Sequence, residues 1–303
     1  MKKFAFRILL ALLLMSMLAR PFCAAELKTG SITLEYSKNG LVFAGQNISV
    51  YRVAEVTAQG ECVPVPPFDS FPVNLNGITS NKEWQDTSNT LASYILSDQV
   101  SPDRTAVTDE NGVARFDDLE LGVYLVAGVS VHHEDGYYEF ENFCIFLPTP
   151  LDDGTHDYDL NAKPKSHFVS WPEEPEPVSY RVTKVWKDSG SRSSRPVQIT
   201  VDLLKDGVLQ DTVLLNAGNN WTYQWQAKAG EKWNVVERDV PDAYKVVITR
   251  NDTVFQITNT CIADHELPKT GDTAALWLYV VAMCLSGFGL LIIAIGAKRR
   301  AGK

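Results

Sequence analysis

The chain has 303 residues, 45% of them hydrophobic, enough for two domains of ordinary size. With 37 acidic against 28 basic residues its formal net charge is −9, so nucleic acids and anionic polymers meet no basic platform on it. None of the five cysteines stands in a CxxC pair, and no His/Cys spacing points to a metal or other cofactor.

In chain order, residues 1–25 read as a secretory signal peptide. Lys2, Lys3 and Arg7 precede an apolar run from Ile8 to Leu18, and the small residues Cys23, Ala24 and Ala25 place the cleavage before Glu26. Lipidation at Cys23 is the poorer reading, because Arg20, Pro21 and Phe22 are unsuitable neighbours.

Residues 26–165 form the first domain. SITLEYS, ISVYRVAEV, ARFDDL, VYLVAGV, FCIFLP and YDLNA alternate as strands do, and Gly, Asn and Asp turns join them. Between them SNKEWQDTSNTLASYILSD predicts a helix. Ser80 and Glu83 make a capping box, and Trp84, Leu91, Ile95 and Leu96 make an apolar stripe. Such a helix would decorate the edge of a β-sandwich. In HHEDGYY, His132, His133 and Glu134 could suggest a metal, but adjacent strand residues point to opposite faces and a hairpin turn is the simpler expectation. Cys62 and Cys144 could pair in an oxidising compartment, or could be two small buried apolar residues.

SHFVSWPEEPEPVSY interleaves prolines with glutamates and predicts an extended linker over 166–178. A second domain follows over 179–262, with strands at RVTKVW, VQITVDLLKDG, DTVLLN, WTYQWQ, KWNVVERDV, YKVVIT and VFQITNT. The fold class is therefore all-β, with two tandem immunoglobulin-like sandwiches. Trp221 and Trp225 are expected in the sandwich core rather than on a sugar-binding platform.

Alternation puts Val182, Lys184 and Trp186 on one face of the first strand, so a lysine lies in an apolar row. The same test gives Trp233, Val235 and Glu237 a common face, and Phe255, Ile257 and Asn259 another. Three core rows thus hold one polar residue each. A lysine desolvated among apolar groups loses its proton more readily and becomes a nucleophile. A buried glutamate stays protonated more readily and can shuttle protons. The amine of Lys184 could then attack the amide of Asn259 with Glu237 as catalyst, expelling ammonia and leaving an uncharged isopeptide bond. Lys187, the nearest substitute, falls on the wrong face.

Residues 263–273 contain Leu267, Pro268, Lys269, Thr270 and Gly271. These match the LPxTG sorting signal recognised by sortases of Gram-positive bacteria. Ala274 to Ala297 is apolar and long enough to span a bilayer, and the tail 298–303 carries Lys298, Arg299, Arg300 and Lys303. The signal implies cleavage after Thr270 and amide linkage of that residue to peptidoglycan or to another subunit, so the membrane holds only the precursor. Four positive charges leave with the leader and a net three with the tail, taking the exported part from −9 to −16.

Residues 179–261 resemble the collagen-adhesin B-type (Cna-B) domain through VTKVW, RPVQITVDLLKDG, NNWTYQW, WNVVE, VPDAYKV and ITNT. The resemblance implies a lysine–asparagine bond formed by Lys184 and Asn259 and catalysed by Glu237. Residues 26–165 resemble N-terminal domains of sortase-assembled pilins through GSITLEY, AGQNISVYRVAEV, TDENGVARFDDLELGVYLV and YDLNAKPK. Here Tyr36 takes the expected place of the lysine, Gly128 that of the glutamate, and Asn161 alternates outward, so no such bond is expected. A Cys62–Cys144 bridge would then be a replacement staple.

LNAKPK sets Lys165 where a pilin's reactive lysine would lie. Lys163 stands where tyrosine is usual and His156 where tryptophan is, so an ordinary solvated lysine is the simpler expectation. The implied function is a wall-anchored pilus subunit, adhesin or stalk whose partners are a sortase and an unidentified host or surface ligand. Collagen binding does not follow. The rival reading, a surface enzyme built on the first domain, lacks any recognisable nucleophile–base arrangement.

Overall fold

The computed structural model describes residues 28–171, 177–188, 195–228 and 230–262. The leader, the 267–271 motif, the apolar stretch 274–297 and the basic tail lie outside them. No helix among the described residues is long and apolar enough to cross a membrane. Among the described residues the chain is mostly β with one α-helix, and it divides into two compact units.

In the first unit, Thr29–Glu35 pairs in parallel with Asp159–Ala162 and antiparallel with Val113–Glu120. A second sheet runs Phe143–Leu147, Gly122–Val126, Asn47–Val56, with Cys62–Pro64 and Arg104–Val107 sharing the far edge. Ile32, Leu34, Val50, Phe116, Tyr124 and Leu160 close the core between them. Tyr36 does face inward, packing edge-on against Phe140 at 4.9 Å between ring centres. Asn161 is exposed.

Three features differ from what the sequence led us to expect. Ser166–Ser170 is a strand, not linker; it pairs with Gly136–Phe140, which pairs in turn with Ser130–His133 to make the hairpin turn at Glu134 and Asp135. Phe168 and Trp171 anchor it on Tyr138 and Tyr137, at 5.0 and 5.4 Å between ring centres, so aromatic contacts outweigh the proline-rich flank. The helix Asn81–Asp98 starts at its capping box, with Glu83 N–H donating to Ser80 Oγ and Ser80 N–H to Glu83 Oε2. It is no surface decoration: Leu91, Ala92, Tyr94 and Ile95 are buried, while Leu96 remains 41% exposed. The third difference is that Phe71–Asn74 and Asn89–Gln99 belong to the second unit. There Tyr94 Oη donates to the Glu237 carbonyl at 2.9 Å, Ile248 N–H donates to Thr90 Oγ1, and Arg238 pairs with Asp98.

The Cys62–Cys144 bridge, one of the two readings, is not formed; both are free thiols. They lie on opposite edge strands of one sheet with two strands between them, whereas a disulfide needs Cα atoms about 4.4–6.8 Å apart. Burial pushes the Cys144 thiol up to about 12, and its sulfur lies 3.4 Å from Ser88 Oγ.

In the second unit all seven predicted strands form. One sheet runs Thr222–Lys228, Pro177–Lys187, Val254–Cys261, Tyr244–Asn251, and the other Val208–Asn216, Gln198–Lys205, Trp233–Arg238. Val182, Val201, Leu203, Leu215, Val235, Val246 and Ile257 fill the space between the sheets. The first and last strands lie side by side in parallel, much as Thr29–Glu35 lies beside Asp159–Ala162 in the first unit.

Gly128 shows why the first unit has no acid at the corresponding point. A Cβ there would meet the Phe140 carbonyl oxygen at 2.3 Å. Gly128→Glu should therefore lower stability by about 1–3 kcal/mol, the usual cost of overpacking, when urea unfolding is followed by circular dichroism. An unchanged midpoint would contradict this packing.

Candidate functional site

Lys184, Glu237 and Asn259 come from three strands on both sheets, and the structure brings them together. Along Pro177–Lys187 the burial alternates, with Tyr180, Val182 and Lys184 buried and Arg181 and Lys187 exposed. The parallel register sets Lys184 opposite Ile257 and Trp186 opposite Asn259. Asn259 thus sits two residues beyond Lys184 on the neighbouring strand, facing the same interior. Glu237 reaches them from the facing sheet, where it pairs with Val201.

Lys184 Nζ donates to Glu237 Oε2 at 2.9 Å, and Asn259 Nδ2 donates to Glu237 Oε1 at 2.9 Å. The carboxylate therefore bridges the amine and the amide. The side chains of Lys184 and Glu237 have no solvent exposure at all. Asn259 Oδ1 is buried without a hydrogen-bond partner. An ionised carboxylate offers only acceptors, so it satisfies the Asn259 NH2 and leaves this carbonyl oxygen bare.

Burial lowers the Lys184 ammonium to about 8, against the opposing charge and hydrogen bond of Glu237. Burial likewise raises the Glu237 carboxyl above 4.5, only partly countered by Lys184. Both shifts favour moving a proton from lysine to glutamate. Trp186 completes the pocket, its ring centre 4.4 Å from Lys184 Nζ.

The other residues singled out by sequence lie elsewhere. His132, His133 and Glu134 flank a hairpin, and no metal-binding group occurs among the described residues. Trp221 and Trp225 pack against the core. Lys165 is exposed at a cleft of about 480 Å³ in the first unit, lined by Trp84, Gln85, Glu141, Phe143 and Phe146. Leu267, Pro268, Lys269, Thr270 and Gly271 lie outside the described residues.

Sequence reading missed the support around Trp186. Asp188 accepts a two-pronged ion pair from Arg195 at 2.6 and 2.5 Å, and Tyr244 Oη donates to Asp188 Oδ2 at 3.0 Å. The available signal was an acid directly after a core strand with an arginine seven residues on, which alternation alone does not select.

Residues 180–260 match the family of Cna protein B-type domains. A collagen adhesin of Staphylococcus aureus is 25% identical over 248 residues, covering 73% of this chain and 19% of the adhesin, so the chain spans about a fifth of that relative's length. Among solved structures, a single B repeat unit of the Staphylococcus aureus collagen-binding surface protein is 18% identical. That similarity covers 77% of this chain and 99% of the other, with a TM-score of 0.27. The full-length major pilin SpaD from Corynebacterium diphtheriae is 15% identical, over 77% and 64% of the two chains, with a TM-score of 0.30.

Replacing Lys184 by methionine leaves Glu237 buried without its counter-charge. Its folded-state pKa, already above 4.5, then rises further, so the folded chain holds a proton that the unfolded chain releases. The stability of Lys184→Met should fall as pH climbs from about 4.5 and level off above the folded pKa. Urea midpoints across that range check this; a profile that rises or stays flat would contradict it.

Proposed function

We infer that this chain, a Cna-B-type, pilin-like surface protein, is a wall-anchored pilus subunit or adhesin stalk whose second domain closes on itself with a Lys184–Asn259 isopeptide bond. The observation that carries this reading is Glu237 held 2.9 Å from both the Lys184 amine and the Asn259 amide, away from water.

The chemistry follows from those contacts. The Lys184 ammonium gives a proton to Glu237, turning a buried ion pair into a neutral amine and a neutral acid with no change in net charge. A half-turn of the Asn259 amide lets the new acid donate to Oδ1, the atom that lacked a partner. This polarises the carbonyl. Lys184 Nζ attacks Cγ, the proton it sheds travels through Glu237 to Nδ2, and ammonia departs. One C–N bond forms, one breaks, and Glu237 ends as it was at the moment of attack, protonated. Fixed positioning replaces much of the barrier. The step occurs once per chain, so the protein is not an enzyme in the ordinary sense.

Attachment is assigned to Thr270 through a sortase acting on Leu267–Gly271, with peptidoglycan or another subunit as acceptor and an extracellular, wall-bound location. The collagen-adhesin relative does not carry collagen binding over, because this chain spans so little of it. A second reading, polymerisation through Lys165, is favoured by the cleft that this exposed lysine lines together with Glu141 and the Trp84–Phe146 pair, whose ring centres are 5.3 Å apart.

Residues 26–270 should weigh one ammonia less than their sequence, and Lys184→Ala, Glu237→Ala or Asn259→Ala should each restore the full mass. Intact-mass spectrometry decides: an undiminished wild-type mass removes the bond, and a deficit of two ammonias contradicts the single-site assignment. For polymerisation, wall extracts on a denaturing gel should show a ladder that Lys165→Ala abolishes. A single wall-linked band would leave an anchored monomer.

A further inference from the structure

The reacting trio is enclosed by a set of residues that the bond-forming chemistry does not itself use. Trp186 follows Lys184 on the same strand face and stands opposite Asn259 in the register, so one indole borders both reacting partners. It is only partly buried, whereas the Lys184 side chain has no exposure. The indole therefore occupies the layer between that end of the site and solvent. Its ring meets Tyr244 at 5.2 Å and Trp221 at 5.5 Å between centres, both edge-on, and the Arg195 guanidinium lies 5.6 Å from its centre.

Arg195 is itself pinned. Asp188, 3% exposed in its side chain, holds it through two hydrogen bonds and also receives the Tyr244 hydroxyl. A bidentate guanidinium–carboxylate pair fixes orientation as well as position. Two of the groups touching Trp186, Arg195 and Tyr244, thus meet at one carboxylate. A single buried acid fixes one side of the indole's setting, and it also offsets the Arg195 charge near Lys184.

We propose that Trp186, clamped by Asp188, Arg195 and Tyr244, is a positioning residue that seals Lys184 and Asn259 from water while they react. The proposal rests on the bond inferred above. The indole face directs Nζ toward Glu237 and keeps solvent from rehydrating the ammonium. If water enters, Lys184 returns from about 8 toward 10.5, and each unit of that return lowers the neutral-amine fraction about tenfold.

The test follows the full chain after translation is arrested, sampling over time and quantifying by mass spectrometry the branched tryptic peptide that joins Lys184 to Asn259. Wild type should convert completely. Trp186→Leu should convert more than about tenfold slower, with a rate that still climbs above about pH 8, where the wild type, its Lys184 at about 8, has levelled off. Trp186→Phe should recover most of the wild-type rate. A merely structural tryptophan would give no such base dependence, and its loss would cost the same stability in a Lys184→Ala background. Wild-type conversion by folded Trp186→Leu overturns the proposal. Should that variant not fold, the partly exposed Arg195→Gln must still slow conversion, and an unchanged rate overturns the proposal equally. Only linear peptide from wild type would mean that the bond itself is absent, and the proposal falls with it.

Discussion

A lysine and a glutamate share an interior that water does not reach, and the second domain is arranged around that constraint. Two charges in such a place lose hydration worth several kcal/mol each, and their mutual attraction recovers it only with good geometry and further hydrogen bonds. Here one acceptor atom, Asn259 Oδ1, is left bare as well. Conversion to a neutral amide, as proposed, would remove both costs together. The site is thus poorly suited to a permanent ion pair and well suited to a reactant that disappears.

Topology supplies the meeting. Parallel pairing of the first and last strands sets Lys184 two positions from Asn259, and the facing sheet delivers Glu237. The first domain has a similar parallel pair, its first strand lying beside Asp159–Ala162 with Ile32 opposite Leu160 and Leu34 opposite Ala162. Yet Tyr36 packs on Phe140, Asn161 faces outward, and Gly128 lies where backbone leaves no room for a side chain. Two domains of one chain therefore share a parallel strand pair, and the second brings Lys184, Glu237 and Asn259 together in its interior. A bond between terminal strands closes a long loop, which on the entropy estimate disfavours the unfolded state by roughly 4 kcal/mol.

Much of this was legible because strands encode burial with a period of two. Val182, Lys184 and Trp186 declare their face without any structure, and Lys187 is excluded by the same rule. Period-two reading fails where something other than a half-buried face decides. Ser166–Ser170 carries no alternating pattern and is held by aromatic contacts to Tyr137 and Tyr138. Arg104–Val107 is an edge strand with almost no burial to read. The helix was visible from its capping box, but not that Tyr94 and Thr90 would bond within the second unit, because such pairings span some 140 to 160 residues. Asp188 and Arg195 look like loop residues until their ion pair is seen.

With the proposed bond in place, force entering at one end of the second domain would cross it through a covalent link. Single-molecule pulling on the ectodomain measures this most directly. The 75 residues from Lys184 to Asn259 would release about 25 nm if they unravelled, at about 3.4 Å per residue. This extension should be missing from wild type and appear in Asn259→Ala. A wild-type trace that yields the full length of the second domain would contradict it.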